Sequence, residues 1–286
     1  MPGLGKRVHL ETVYAAILEF FSPIVYSFAH IMKVLKFGGS SVQDGASIGH
    51  VISLVQGEAR GEGGTLCVVF SAMKGITDDL IKAARRAEQG RADFRDIIAR
   101  IQGRQIKAVD ELFPKAKKEE ALSPLLGLCQ EVLDILHGIE LVRECSSRSL
   151  DLVMSFGERL NCQLIASAML GRGMRAAYHD ARSLIVTDDH YGTARVNFRA
   201  SCGKITRRLA KAKGIAVVTG FIAASAEGVT TTLGRNGSDY TASLLAAALG
   251  ADCLEIWKDV DGVLSANPSV VKDAFVIPEL SYEEAM

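Results

Sequence analysis

The stretch TTLGRNGSDYTASLL, residues 231–245, sets Arg235, Ser238 and Asp239 among glycines, just ahead of an alanine- and leucine-rich run. A guanidinium is a planar fork that grips a carboxylate or a phosphate through two hydrogen bonds. A helix start favours anions through its unpaired amides and its dipole. Arg235, between Gly234 and Gly237 and shortly before such a start, therefore reads as an anion-binding residue. Either Ser238 or Asp239 can cap the helix that follows, which ends near Gly250. Asp239 can instead hold a cationic amine or orient a lysine.

Other segments offer related chemistry. Lys36 precedes Phe37-Gly38-Gly39, so an ammonium lies beside amides that approach an anion closely because the glycines lack a Cβ; a plain strand-to-turn transition has the same form. SFGERLN (155–161) places Glu158 and Arg159 at the start of a helical run, where a glutamate usually only complements the dipole. Asp259 and Asp261 in WKDVDG suit a nucleotide or metal, or simply a turn. There is no G-x-x-x-x-G-K-[ST] loop, no metal-spaced histidine pair and no G-x-S-x-G elbow. GRGMRA (171–176) matches G-x-G-x-x-A but follows a helix and precedes a strand, the reverse of the dinucleotide-binding context.

The elements that would hold these residues alternate. MKVLKFGGSSV (32–42) and GTLCVVFSAMKG (64–75) read as buried strands emptying into small residues, with SIGHVISLVQGEA as the crossover helix between them. From Thr77 to about Leu170 the pattern is helical, with Leu128, Val132, Ile135, Leu136, Ile139 and Val142 on one face, and PKAKKEEAL (114–122) reads as a solvated helix start. Strands are expected at 174–180, 183–189, 214–221 and 252–263, with a helix near 197–213. This predicts an α/β fold: a mostly parallel sheet sandwiched between helices in three layers, with a helical section after the second strand. KFGGSS, SAMKGIT, TTLGRNGSDYT and WKDVDG would then gather beyond the strands' carboxyl ends, where ligands of open sheets bind.

Composition narrows the partners. Thirty-three Lys and Arg balance 33 Asp and Glu, and 48% of the 286 residues are hydrophobic, so a globular core is affordable while no basic field exists to attract nucleic acid. The six cysteines, Cys67, Cys129, Cys145, Cys162, Cys202 and Cys253, lie far apart without a C-x-x-C pair, which suits reduced thiols in a cytoplasm. Residues 1–31 form an apolar extension interrupted by Glu19 and Pro23. It falls short of the about 20 clean apolar residues of a membrane span and reads as a start-site extension or loosely packed amphipathic helix rather than a signal peptide. At the other end Ser281 and Glu284 form a capping box for a helix that the chain does not continue, so residues 32–286 are expected to be a C-terminally truncated domain.

Taken in order, KFGGSSV, SAMKGIT, SFGERL, TTLGRNGSDYTA and WKDVDGV resemble aspartokinase, of the amino acid kinase superfamily, from about Lys33 to Met286. The Asn of GRNGSDY and the LHGIEL stretch look more like the kinase half of bifunctional aspartokinase–homoserine dehydrogenases. The resemblance implies phosphoryl transfer from ATP, with Mg2+, to the side-chain carboxylate of L-aspartate, giving 4-phospho-L-aspartate at the entry to lysine, threonine and methionine synthesis. It implies catalytic roles for Lys36 and Asp239, and substrate contacts from Ser71, Thr77, Glu158, Arg235 and Ser238. Nucleotide contacts would come from Lys36, Gly38, Gly39, Ser40, Lys258 and Asp259. It further implies a homo-oligomer in the full-length protein and no membrane or nucleic-acid partner. Asn267-Pro268-Ser269 stands where the family often has Asp-Pro-Arg, and Leu264 where it commonly has an aromatic. A fragment that binds aspartate or a partner subunit without turnover, and a related kinase acting on another acid such as acetylglutamate, are the alternative readings.

Overall fold

The computed structural model describes residues 32–61, 66–258, 262–267 and 270–279. The extension, Asp259 and Asp261, Pro268 and Ser269, and the Ser281–Glu284 box lie outside them. Five parallel strands form the main sheet in the order β3-β5-β2-β1-β8: β1 (Lys33–Phe37), β2 (Leu66–Phe70), β3 (Ala176–His179), β5 (Ile215–Thr219) and β8 (Cys253–Trp257). A smaller sheet of β4 (Val186–Thr187), β6 (Ile222–Ser225) and β7 (Thr230–Thr232) stands apart, with β6 and β7 antiparallel.

The period-two alternation of strand side chains assigns each face a core. Leu35, Phe37, Leu66, Val68, Phe70, Ile215 and Val217 belong to one; Val34, Cys67, Val69, Ala216, Val218 and Leu254 belong to the other. The first core receives α1 (Gly45–Gly61), α2 (Ile76–Glu88), α3 (Phe94–Leu112), α4 (Lys118–Val142) and α5 (Ser147–Gly171), through residues such as Val51, Leu80, Ile98, Val132 and Phe156. The second receives α6 (Phe198–Leu209) and α7 (Gly237–Leu249), through Ile205, Ala242 and Leu245. This is the expected three-layer arrangement, with the expected helical section after β2. No helix among the described residues is long and apolar enough to cross a membrane.

Several local expectations need correction. The 183–189 strand shrinks to Val186–Thr187 and joins the small sheet, because Asp188 turns the chain by accepting from the amides of His190 and Arg195. Val142 is 68% exposed rather than on the buried face, since the next residue, Arg143, caps α4 in the left-handed conformation and ends its packing. The helix near 197–213 stops at Leu209. Glu158 lies in the middle of α5, whose start is capped by Ser146, rather than at a helix start.

Candidate active site

Lys36 owes its position to alternation. Its neighbours Leu35 and Phe37 enter the first core, so its side chain faces the layer containing α7. There Nζ meets Asp239 Oδ1 at 2.6 Å, with the lysine side chain 7% exposed. Lys258, just beyond β8, approaches the other oxygen of Asp239 at 3.4 Å. Two ammonium groups against one carboxylate leave a net positive charge at the mouth of the crevice between β1 and β8. The chain leaving β2 passes to the helices of the first layer, whereas the chain leaving the neighbouring β5 leads to α7 in the second, so the carboxyl ends of these strands mark the topological switch at which open parallel sheets bind ligands.

A cavity of about 290 Å³ opens at these strand ends, lined by Lys36, Ser71, Thr77, Glu158, Ser238, Asp239 and Lys258, together with Phe221 and the turn preceding α7. Glu158 enters it from the opposite layer. One of its carboxyl oxygens accepts from the Ala72 amide at 3.2 Å. The other, Oε2, is buried and has no hydrogen-bond partner among the described residues. Burial pushes this carboxyl up from 4.5 to about 8, against the smaller opposing pull of the Ala72 amide. The site therefore holds an acid that is largely neutral at pH 7 until a cation reaches it.

Around this centre the loops pack tightly. Ser71 Oγ and Ser238 Oγ are 3.0 Å apart, and Asn161 supports the loop by donating to the Ser71 carbonyl at 2.6 Å. The turn after β1 rests on the loop after β2: the Lys74 amide donates to Gly39 O, and a Cβ built on Gly39 would lie 2.8 Å from Ala72 O. Arg104 of α3 ties the same two loops from outside, donating to the carbonyls of Lys74 and Gln43 at 2.9 Å each. Phe221 lines the cavity with φ 65°, a conformation rare for a bulky residue and of the sort concentrated at functional sites.

The structure brings most of the expected residues together. Lys36, Ser71, Thr77, Glu158, Ser238, Asp239 and Lys258 line one cavity. Gly38, Gly39 and Ser40 form the turn beside it, and a Cβ on Gly38 would lie 3.6 Å from Lys36 Nζ. Arg235 is exposed and outside the lining, although Gly234 and Asn236 on either side belong to it. Asp259 lies outside the described residues. Neither Ser238 nor Asp239 caps α7. Asn236, in the left-handed conformation, takes that place without a side-chain bond, which leaves both residues in the first turn facing the cavity. Sequence reasoning missed Asn161, Arg104 and Phe221. Only GF between strand and strand hinted at a tight turn, and the other two act on partners distant in the chain.

The model of the amino acid kinase family matches residues 32–286. The chain is 31% identical over 264 residues to the chloroplastic aspartokinase 1 of Arabidopsis thaliana, covering 89% of this chain and 45% of that protein. It is 29% identical over 262 residues to the bifunctional aspartokinase/homoserine dehydrogenase of Buchnera aphidicola, covering 89% and 31%. The two kinds of relative thus resemble it about equally. Escherichia coli aspartokinase III, solved with aspartate and ADP, superposes with a TM-score of 0.75 at 31% identity, over 86% of this chain and 53% of that one. The chain accordingly spans about a third to a half of the length of these relatives. On the family match, carried over the whole described fold, the chain belongs to the amino acid kinase family.

Proposed function

We propose that this domain transfers the γ-phosphoryl group of MgATP to the side-chain carboxylate of L-aspartate, releasing ADP and 4-phospho-L-aspartate at the entry to lysine, threonine and methionine synthesis. The observation that carries this reading is the charge layout of one cavity, with a lysine pair on its strand-end side and a buried carboxyl with an unpaired oxygen on the other. That layout suits a zwitterionic amino acid approached by a polyphosphate. Its support from outside is the solved relative that holds aspartate and ADP.

In this reading Glu158 Oε2 receives the substrate ammonium, which supplies the missing partner and favours the ionised carboxylate. Arg235, on the loop at the rim, grips the α-carboxylate, while Ser71, Thr77 and Ser238 offer hydroxyls to the substrate. A side-chain carboxylate oxygen forms the new bond to the γ-phosphorus as the bond to the bridging oxygen breaks, and the electron pair leaves on ADP. Lys36, held by Asp239, neutralises charge on the moving phosphoryl group, and positioning with electrostatics does most of the work. Gly38, Gly39, Ser40, Lys258 and Asp259 serve the nucleotide. Magnesium bound to ATP would supply charge shielding for its phosphates, beside which Lys36 and Lys258 stand. Among the described residues no three His, Cys, Asp or Glu side chains gather to hold a metal unaided, and Lys36 and Lys258 are cations that line the cavity. Its six free cysteines fit a cytoplasmic setting.

Acyl phosphates react with hydroxylamine to give hydroxamates, which colour on addition of iron(III). Incubation with MgATP and hydroxylamine is expected to yield hydroxamate with L-aspartate and far less with N-acetyl-L-glutamate. The reverse preference would move the assignment to a different acid.

A further inference from the structure

Asp151 is 1% exposed, stands outside the cavity, and is a hydrogen-bonding centre for it. Its Oδ2 accepts from the amides of Gly192 and Thr232, each at 2.9 Å, and its Oδ1 accepts from the Thr232 hydroxyl at 2.9 Å. A buried carboxylate with its bonds directed to one strand end and one loop costs desolvation that no charge partner among the described residues offsets. Such an arrangement is retained where it fixes a geometry.

The geometry it fixes is that of the substrate loop. Thr232 is the last residue of β7, and its carbonyl accepts from the Ala194 amide at 2.9 Å, so its backbone is held through both groups. Gly234 follows with φ 73°, pressed against the loop that Asp151 also holds: a Cβ there would lie 3.1 Å from Thr193 Cγ2 and 3.3 Å from Gly192 O. Arg235 and Asn236 come next, then Ser238 and Asp239 in the first turn of α7. Asp151 and Glu158 are seven residues apart on α5, two turns along one face and about 10 Å in rise. One rigid helix therefore carries the carboxyl inside the cavity and the carboxylate that anchors the loop across from it.

We propose that Asp151 is a positioning residue that fixes the Gly234–Asn236 loop relative to Glu158, and so sets the affinity for an amino acid bearing both an ammonium and an α-carboxylate. This rests on the reading that Glu158 and Arg235 take those two groups. Removing Asp151 leaves the buried Thr232 amide and the part-buried Gly192 amide without their acceptor and lets the loop drift, a loss on the order of ten- to a hundredfold in binding.

The test compares Asp151→Ala, Asp151→Asn and Thr232→Val with the unaltered chain. It uses L-aspartate binding by calorimetry and hydrogen exchange of the amides from Gly192 and from Thr232 to Asp239. Asp151→Ala is expected to weaken L-aspartate binding on the order of ten- to a hundredfold, with ATP binding within about twofold and exchange faster in those two segments than elsewhere. Asp151→Asn should restore most of the affinity, since its amide oxygen can accept both N–H groups while the Thr232 hydroxyl turns to accept. Thr232→Val, which keeps the backbone bonds, should lie between them and serves if the alanine variant does not fold. A uniform rise in exchange with unchanged L-aspartate affinity would overturn the proposal and leave Asp151 a stability residue. If the unaltered chain does not bind L-aspartate, the reading of the site fails; local rather than uniform loosening in the exchange then still decides whether Asp151 holds the loop.

Discussion

At the scale of single residues, Glu158 is the side chain whose chemistry depends most on its surroundings. The unfolded chain ionises it near 4.5, whereas burial holds it protonated to about 8. Between those values the native state binds more protons than the unfolded one, so this group's contribution to stability falls as pH rises and levels off above 8. Glu158→Gln removes that dependence. Its melting temperature relative to the unaltered chain should be near parity at pH 5 and rise steadily to pH 8, and a difference independent of pH would contradict the burial account. A substrate ammonium at Oε2 would draw the carboxyl into its ionised form. L-aspartate binding at pH 7 should therefore release protons, seen as a dependence of calorimetric heat on the ionisation enthalpy of the buffer, and this dependence should vanish in Glu158→Gln. Lys36 and Asp239 were legible in the sequence as residues of suitable charge, with the aspartate able to orient a lysine; that the two stand 2.6 Å apart depends on which face of β1 the lysine occupies, which local spacing does not show. Glu158 was named on its motif while its spacing argued for a structural role. Its burial is set by the Ser146 cap far upstream, which starts the helix early enough to carry residue 158 into the middle.

Elements set the spacing of these groups. Phe70, Phe37 and Trp257, on adjacent strands, stack with ring centroids 5.6 and 5.7 Å apart, fixing the strand ends from which the Gly38 turn and Lys258 depart. The turn after β1 then rests on the loop after β2 with no room to spare at Gly39. Gly39→Ala should force the two loops apart, cost about 1–3 kcal/mol of stability, and raise the half-saturating ATP concentration more than that of L-aspartate. A melting temperature and ATP dependence equal to those of the unaltered chain would show that the contact yields freely. The main strands and the helices against them were readable because LCVVF is a short unbroken apolar run bounded by small residues, while the helical spacing in α4 repeats over several turns. The small sheet was not readable, since strands of two to four residues carry too little pattern and β4 is defined by distant pairing with β6.

Across the whole molecule, the two helix layers have separate cores, and side chains from both come together in the cavity where the strands end. Glu158 comes from the layer of α5, Asp239 from that of α7, and Lys36 from the sheet between them. A site assembled in this way closes only when the entire three-layer fold is formed, which ties its chemistry to the integrity of the domain. At the centre of that site Lys36 is proposed to stabilise a phosphoryl group passing from ATP to the side chain of L-aspartate. Coupled detection of ADP, with MgATP and with or without L-aspartate, measures it most directly on this chain and on Lys36→Met. ADP release is expected to depend on L-aspartate and to fall on the order of a hundredfold or more in the variant. Release that is the same with and without L-aspartate, or equal in the two proteins, would contradict it.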